Sequence, residues 1–107
     1  MNEERTIVLR GPIQDQLTDQ VVSDLTYMGK ESNQPIYLII RSGGGSVEAG
    51  FSVVTAMESI KAPIVCVIDT EAYSMAAIIA AFCDKTYAQK VRDVVNQLNE
   101  KGKKNYL

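Results

Sequence analysis

Ile36-Tyr37-Leu38-Ile39-Ile40-Arg41-Ser42-Gly43-Gly44-Gly45-Ser46-Val47 is the stretch on which the fold turns. Its first five residues are apolar without alternation, the pattern of a strand covered on both faces in a parallel sheet. Three consecutive glycines follow, and each gives up more backbone entropy on folding than any other residue. Two explanations stand side by side. The chain needs a tight turn with positive φ, or bare backbone N–H groups must come close to an anion, an oxyanion or a peptide.

Ser46 then caps a helix whose apolar stripe is Val47, Phe51, Val54, Met57 and Ile60. Ala49 and Gly50 leave a small patch for the approach of another backbone. Lys61 suits the last turn, and Pro63 ends the helix. Ile64 to Ile68 is a second apolar strand. Strand, helix and strand of these lengths form a βαβ unit with parallel strands.

Working towards the N-terminus, Thr6-Ile7-Val8-Leu9 is a short strand stopped by Gly11-Pro12. Asp15 or Thr18 caps a helix carrying Leu17, Val21, Val22, Leu25 and Met28. Gly29 is its expected C′ residue, before a polar connection from Glu31 to Pro35. Working towards the C-terminus, Asp69 to Tyr73 reads as a turn, and Ser74 to Phe82 as a buried helix. Thr86-Tyr87-Ala88 is a short strand. A polar helix over 90–101, with a narrow stripe of Val91, Val94, Val95 and Leu98, ends at Gly102. Lys101, Lys103 and Lys104 then read as solvated charge. The division is one domain, with a core over 1–88 and a terminal amphipathic helix and tail over 89–107.

The bulk properties narrow the function. A chain of 107 residues with 46% hydrophobic and 22% charged residues is globular. A net charge of −2 leaves no basic footprint for nucleic acid. No apolar run is long enough for a membrane span, and the acidic start is unlike a signal peptide. Cys66 and Cys83 lie in apolar segments without metal-ligand spacing, and read as buried thiols of a reduced, cytoplasmic compartment. Neither a metal nor a cofactor is expected. Histidine is absent, which removes the usual general base.

Ser74 begins a helix after a strand and a turn, flanked two places away by Ala72 and Ala76. Small residues at those positions permit a tight strand-to-helix elbow that presents a nucleophile. The same serine also suits simple helix capping. Parallel strands bring its turn beside the glycine run, at the sheet edge where α/β folds bind ligands. Backbone N–H groups of Gly45 and Met75 are then candidate oxyanion donors, and Gly43, Gly44 and Ser46 candidate peptide-binding positions. A dinucleotide-binding module is a weaker alternative. Counted from Gly43 the sixth position is Glu48, and counted from Gly44 the third is Ser46, so the glycine fingerprint fails.

Taken together, Gly11-Pro12-Ile13, Ile36 to Ile40, Ser42, Gly44-Gly45-Ser46-Val47, Ala49-Gly50 and Ala72-Tyr73-Ser74-Met75-Ala76 resemble the proteolytic subunit of the Clp protease (ClpP family). The resemblance runs from Arg5 to about Ala88. It implies a mostly parallel α/β sheet of the ClpP/crotonase type and a serine endopeptidase chemistry. It further implies Ser74 as nucleophile, Gly45 and Met75 as oxyanion donors, and a ring-shaped homo-oligomer fed by an ATP-driven Clp unfoldase. Arg41 and Gly43 stand where the family usually has asparagine and proline. After Ala88 the family's histidine strand, its handle and its aspartate have no counterpart. Three readings account for this: a fragment or internally deleted protease, a short non-catalytic subunit assembling in a mixed ring with full-length subunits, or a lysine base, for which Lys85 and Lys90 are the candidates.

Overall fold

The computed structural model describes residues 3–88. A 3-10 turn, Glu3–Arg5, leads into β1 (Thr6–Arg10), α1 (Asp15–Glu31), β2 (Ile36–Ser42), α2 (Val47–Ser59), β3 (Ile64–Ala72), α3 (Met75–Ala81) and β4 (Lys85–Ala88). The strands form one sheet in the order β1-β2-β3-β4, and every pairing is parallel. The expected mostly parallel α/β fold is therefore present. The terminal helix and tail expected over 89–107, with Lys90, lie outside the described residues.

Alternation decides where the core sits. Ile7 and Leu9 of β1, Ile36, Leu38 and Ile40 of β2, and Ile64 and Cys66 of β3 are buried on one face. That face carries Val21 and Leu25 from α1, Val53, Val54 and Met57 from α2, and Met75, Ala76 and Ile79 from α3. The second face, holding Tyr37, Ile39, Val65 and Val67, is only half-buried among the described residues, and Val8 and Tyr87 on it are exposed. Full coverage of β2 on both faces is thus corrected among the described residues: α1, α2 and α3 lie on one side.

Several local expectations change for identifiable reasons. Helix α1 starts after Gln14, with no side-chain cap; Asp15 is its first residue, and the Thr18 hydroxyl donates back to the Gln14 carbonyl at 3.2 Å. Gly29 is not a C′ residue, because α1 runs on to Glu31 and a Cβ at Gly29 would lie 2.7 Å from the Ile60 Cγ2. It is small so that α1 can pass the end of α2. The connection after α1 is held by Arg5, whose guanidinium donates to the carbonyls of Met28, Ser32, Gln34 and Pro35. Four backbone carbonyls at and beyond the end of α1 thus accept from one buried cation.

Helix α2 keeps its expected cap: the Ser46 hydroxyl accepts from Ala49 N–H at 3.1 Å. It ends at Ser59, so Lys61 falls beyond its last turn. Val47 and Phe51 are exposed instead of buried, and the space beside Gly50 is taken by the Met75 side chain, not by backbone. Met75 Cε would lie 2.7 Å from a Cβ there. Helix α3 buries one face only, leaving Ile78 and Phe82 exposed where a fully apolar surface implied complete burial.

The free-thiol expectation is overturned. Cys66 of β3 and Cys83, just past α3, are joined by a disulfide with their Cα atoms 6.0 Å apart. The spacing of 17 residues spans the rest of β3, the Ser74 turn and α3, bringing Cys83 back over the strand that α3 packs on. A second tie lies alongside: Ile64 N–H donates to the Asp84 carboxylate at 2.7 Å, and Asp84 N–H to the Ile64 carbonyl at 2.9 Å.

Candidate active site

The ends of β2 and β3 meet through an irregularity. Ile40 pairs with Ile68, but Ser42 pairs with Ala72, so Arg41 alone faces Asp69, Thr70 and Glu71. The residues expected to turn therefore bulge within a longer strand, and Thr70 takes a positive φ of 70° to allow it. The bulge advances β3 until Tyr73 N–H donates to the Ser42 carbonyl at 3.0 Å. Ser74 then stands directly beside the glycine run.

Ser74 has φ 52° and ψ −123°, a conformation that a residue with a side chain rarely adopts. Its hydroxyl makes no capping hydrogen bond, although Ser74 occupies the N-cap position of α3, and the residue is exposed. Capping therefore does not account for this serine. The turn is instead closed by backbone, with Ala77 and Ile78 donating to the Ser74 carbonyl and Ala76 to that of Tyr73.

Gly44 and Gly45 are glycine for different reasons. Gly44 has φ +102°, and a Cβ on it would lie 2.7 Å from the Ser74 Cβ, 2.9 Å from the Tyr73 carbonyl and 3.2 Å from the Ser74 Oγ. Gly45 (φ +155°) has no room for a side chain because the Ile13 backbone lies against it. The two form a parallel bridge, with Ile13 N–H donating to the Gly44 carbonyl at 3.0 Å and Ser46 N–H to the Ile13 carbonyl at 2.8 Å. Gly43 meets nothing within 4 Å and has no positive φ. Turn and close contact are thus both present, but the Gly45 contact is with the chain's own Gly11-Pro12-Ile13 segment.

Hydrogen-bond accounting separates the N–H groups. Gly44 N–H donates to the Ser42 hydroxyl at 3.1 Å, and that hydroxyl donates to the Gly11 carbonyl at 2.6 Å. Among the described residues the N–H groups of Gly43, Gly45 and Met75 have no acceptor. Two of them, on Gly45 and Met75, belong to segments that Gly44 and Ser74 hold in contact. Backbone donors of this kind, fixed before any ligand arrives, suit an oxygen that is gaining negative charge.

Ser42 was part of the sequence pattern without a role of its own. It is buried and ties the Gly11 and Gly44 loops together, and a serine two places before a glycine with positive φ is the available signal. Lys85 is not brought to the site. It pairs with Val65 near the start of β3, seven residues from Ala72 and so about 20 Å along the strand from Ser74.

A match to the Clp protease family model covers residues 1–98. The chain belongs to the Clp protease family. It is also 35% identical, over 80 residues, to the ATP-dependent Clp protease proteolytic subunits of Streptococcus pneumoniae strains Hungary19A-6 and CGSP14. That alignment takes in 74% of this chain and 41% of each relative, so the chain spans about two-fifths of the length of the curated relatives it matches. Membership of the Clp protease family is consistent with the parallel sheet of the expected ClpP-like fold. No helix among the described residues is long and apolar enough to cross a membrane.

Proposed function

We propose that this chain is a Clp-type serine peptidase subunit that keeps the nucleophile and the oxyanion donors but carries no histidine base within its 107 residues. The single observation that carries this reading is Ser74: exposed, strained, bonded to no cap and packed against Gly44. Strain of this kind is retained where the surrounding structure enforces it, and a nucleophile elbow is the arrangement it serves. Ser74 Oγ attacks the peptide carbonyl, and the N–H groups of Gly45 and Met75 receive the oxyanion. Gly43, Gly44 and Ser46 line the path of an extended peptide.

Deprotonation of Ser74 needs an acceptor. None of the 107 residues is histidine, and Lys85 lies at the far end of the sheet. A serine without a base is a weak nucleophile. The chain therefore binds peptide and turns it over little or not at all alone, and works within a ring, as a homo-oligomer or mixed with full-length subunits, beside an ATP-driven Clp unfoldase. Exposed apolar residues on α2 and on or just after α3, Val47, Phe51, Ile78 and Phe82, favour such assembly over a monomer.

The test is hydrolysis of fluorogenic peptides by the chain alone and by the chain mixed with a full-length relative, with native mass spectrometry on both. Negligible turnover alone and mixed rings in the second sample are expected. Turnover by the chain alone that disappears in Ser74→Ala contradicts the missing base, and a monomer in both samples contradicts the ring. Peptide binding without any reaction of Ser74 towards a fluorophosphonate favours the second reading, a peptide-binding subunit with no chemistry. The absence of histidine is what keeps that reading in view.

A further inference from the structure

Arg10 and Arg41 are partners across β1 and β2 at the edge of the sheet where Ser74 lies. Both are exposed, and both occupy the strand positions that alternate with the buried Leu9 and Ile40, on the face away from the helices. Like charges directly opposite on neighbouring strands destabilise a sheet. Such a pair is ordinarily relieved by an acidic neighbour. Neither guanidinium makes an ion pair or a side-chain hydrogen bond among the described residues, although Asp69 and Glu71 sit in the bulge opposite Arg41.

Their position gives the charge a use. Arg41 immediately precedes Ser42, whose carbonyl holds Tyr73 beside Ser74, and Gly43, whose N–H is free. Arg10 precedes Gly11, whose carbonyl accepts from the Ser42 hydroxyl. The two arginines thus stand on neighbouring strands, each immediately ahead of a segment that the Ser42 hydroxyl joins to the glycine run. Arginine suits this task, because its planar fork of donors matches a carboxylate in two-point contact.

We propose that Arg41, with Arg10 beside it, binds an acidic side chain of the peptide lying in the glycine groove, so that the site prefers acidic sequences. This rests on the reading of the groove given above. No covalent step is involved: the carboxylate pairs with guanidiniums that make no ion pair among the described residues, and the peptide backbone is left to the N–H groups of Gly43 and Gly45.

The experiment is NMR titration of the uniformly 15N-labelled full chain with two peptides, Ac-Ala-Leu-Glu-Ala-Leu-amide and its glutamine counterpart. Capped ends leave the glutamate as the only carboxylate. The backbone amides of Gly45 and Met75 report the groove, and the arginine Nε–Hε signals report the carboxylate. The glutamate peptide is expected to move both sets and to bind about three- to tenfold more tightly than the glutamine peptide. That preference is expected to vanish in Arg41→Asn, to shrink in Arg10→Gln and to weaken with added salt. Equal affinities with both groove amides responding, or a preference that survives the Arg41→Asn/Arg10→Gln double variant, overturns the arginine role and leaves the groove standing. Arginine signals that move while Gly45 and Met75 stay silent overturn the groove, and with it the proposal that the carboxylate arrives on a groove-bound peptide.

Discussion

Gly44 and Ser74 are in contact so close that neither position is independent of the other: a Cβ on Gly44 would lie 2.7 Å from that of Ser74. Gly44→Ala must therefore displace the Ser74 turn as well as force a side chain to φ +102°. The expected cost is about 1 to 3 kcal/mol of stability, with loss of peptide binding. Gly43→Ala, one residue away, meets nothing within 4 Å and is expected to change stability by no more than about 0.5 kcal/mol. Urea unfolding of the two variants, with peptide titration, checks the contrast.

Gly50 and Met75 provide a second coupled pair, because the Met75 side chain fills the space a Cβ on Gly50 would need. Gly50→Ala is expected to cost about 1 to 3 kcal/mol by overpacking, and Met75→Ala about 2 to 5 by leaving a cavity. The double variant is expected to lose less than the sum, since the alanine at 50 occupies part of the cavity left at 75. A double-mutant cycle in urea measures this coupling, and simple additivity would contradict the packing described.

The Cys66–Cys83 disulfide closes the segment that contains Ser74 and α3. The non-reduced protein is expected to be two hydrogens lighter by intact mass than the reduced one. Reduction is expected to lower stability by about 3 kcal/mol, the chain-entropy value for a loop of this length. Free thiols in protein purified without reductant and protected from air would contradict it.

Arg5 is buried and donates to four carbonyls at and beyond the end of α1. Arg5→Ala is expected to cost about 2 to 3 kcal/mol, since it leaves several acceptors without a charged donor. Arg5→Lys is expected to restore only part, because one ammonium cannot reproduce the spread of the guanidinium donors. Chemical denaturation of both variants measures the difference.

Much of the fold was legible because its signals are local. Unbroken apolar runs marked β2 and the first half of β3, and Ser46 marked the start of α2. Non-local causes were not legible. Nothing within α1 shows that Gly29 faces Ile60, so its glycine read as a helix end. The apolar surface of α3 implied full burial, yet Ile78 and Phe82 stay partly exposed among the described residues, which depends on what packs beside them in space. Cys66 and Cys83 looked unpaired because their contact depends on α3 folding back over β3. At the site, Ser74 and the glycine run were visible as a pattern. The bulge that aligns them was hidden, because Asp69, Thr70 and Glu71 carry the polar composition of an ordinary turn.

The central claim is that Ser74 and the N–H groups of Gly45 and Met75 act on one bound oxygen. Titration of 15N-labelled protein with a peptidyl boronic acid tests it most directly, because the boronate forms a tetrahedral adduct with a serine hydroxyl. The account predicts that the largest amide shifts fall on Gly45 and Met75 and that they disappear in Ser74→Ala. Shifts centred elsewhere, or shifts at Gly45 and Met75 that persist unchanged without the Ser74 hydroxyl, would contradict it.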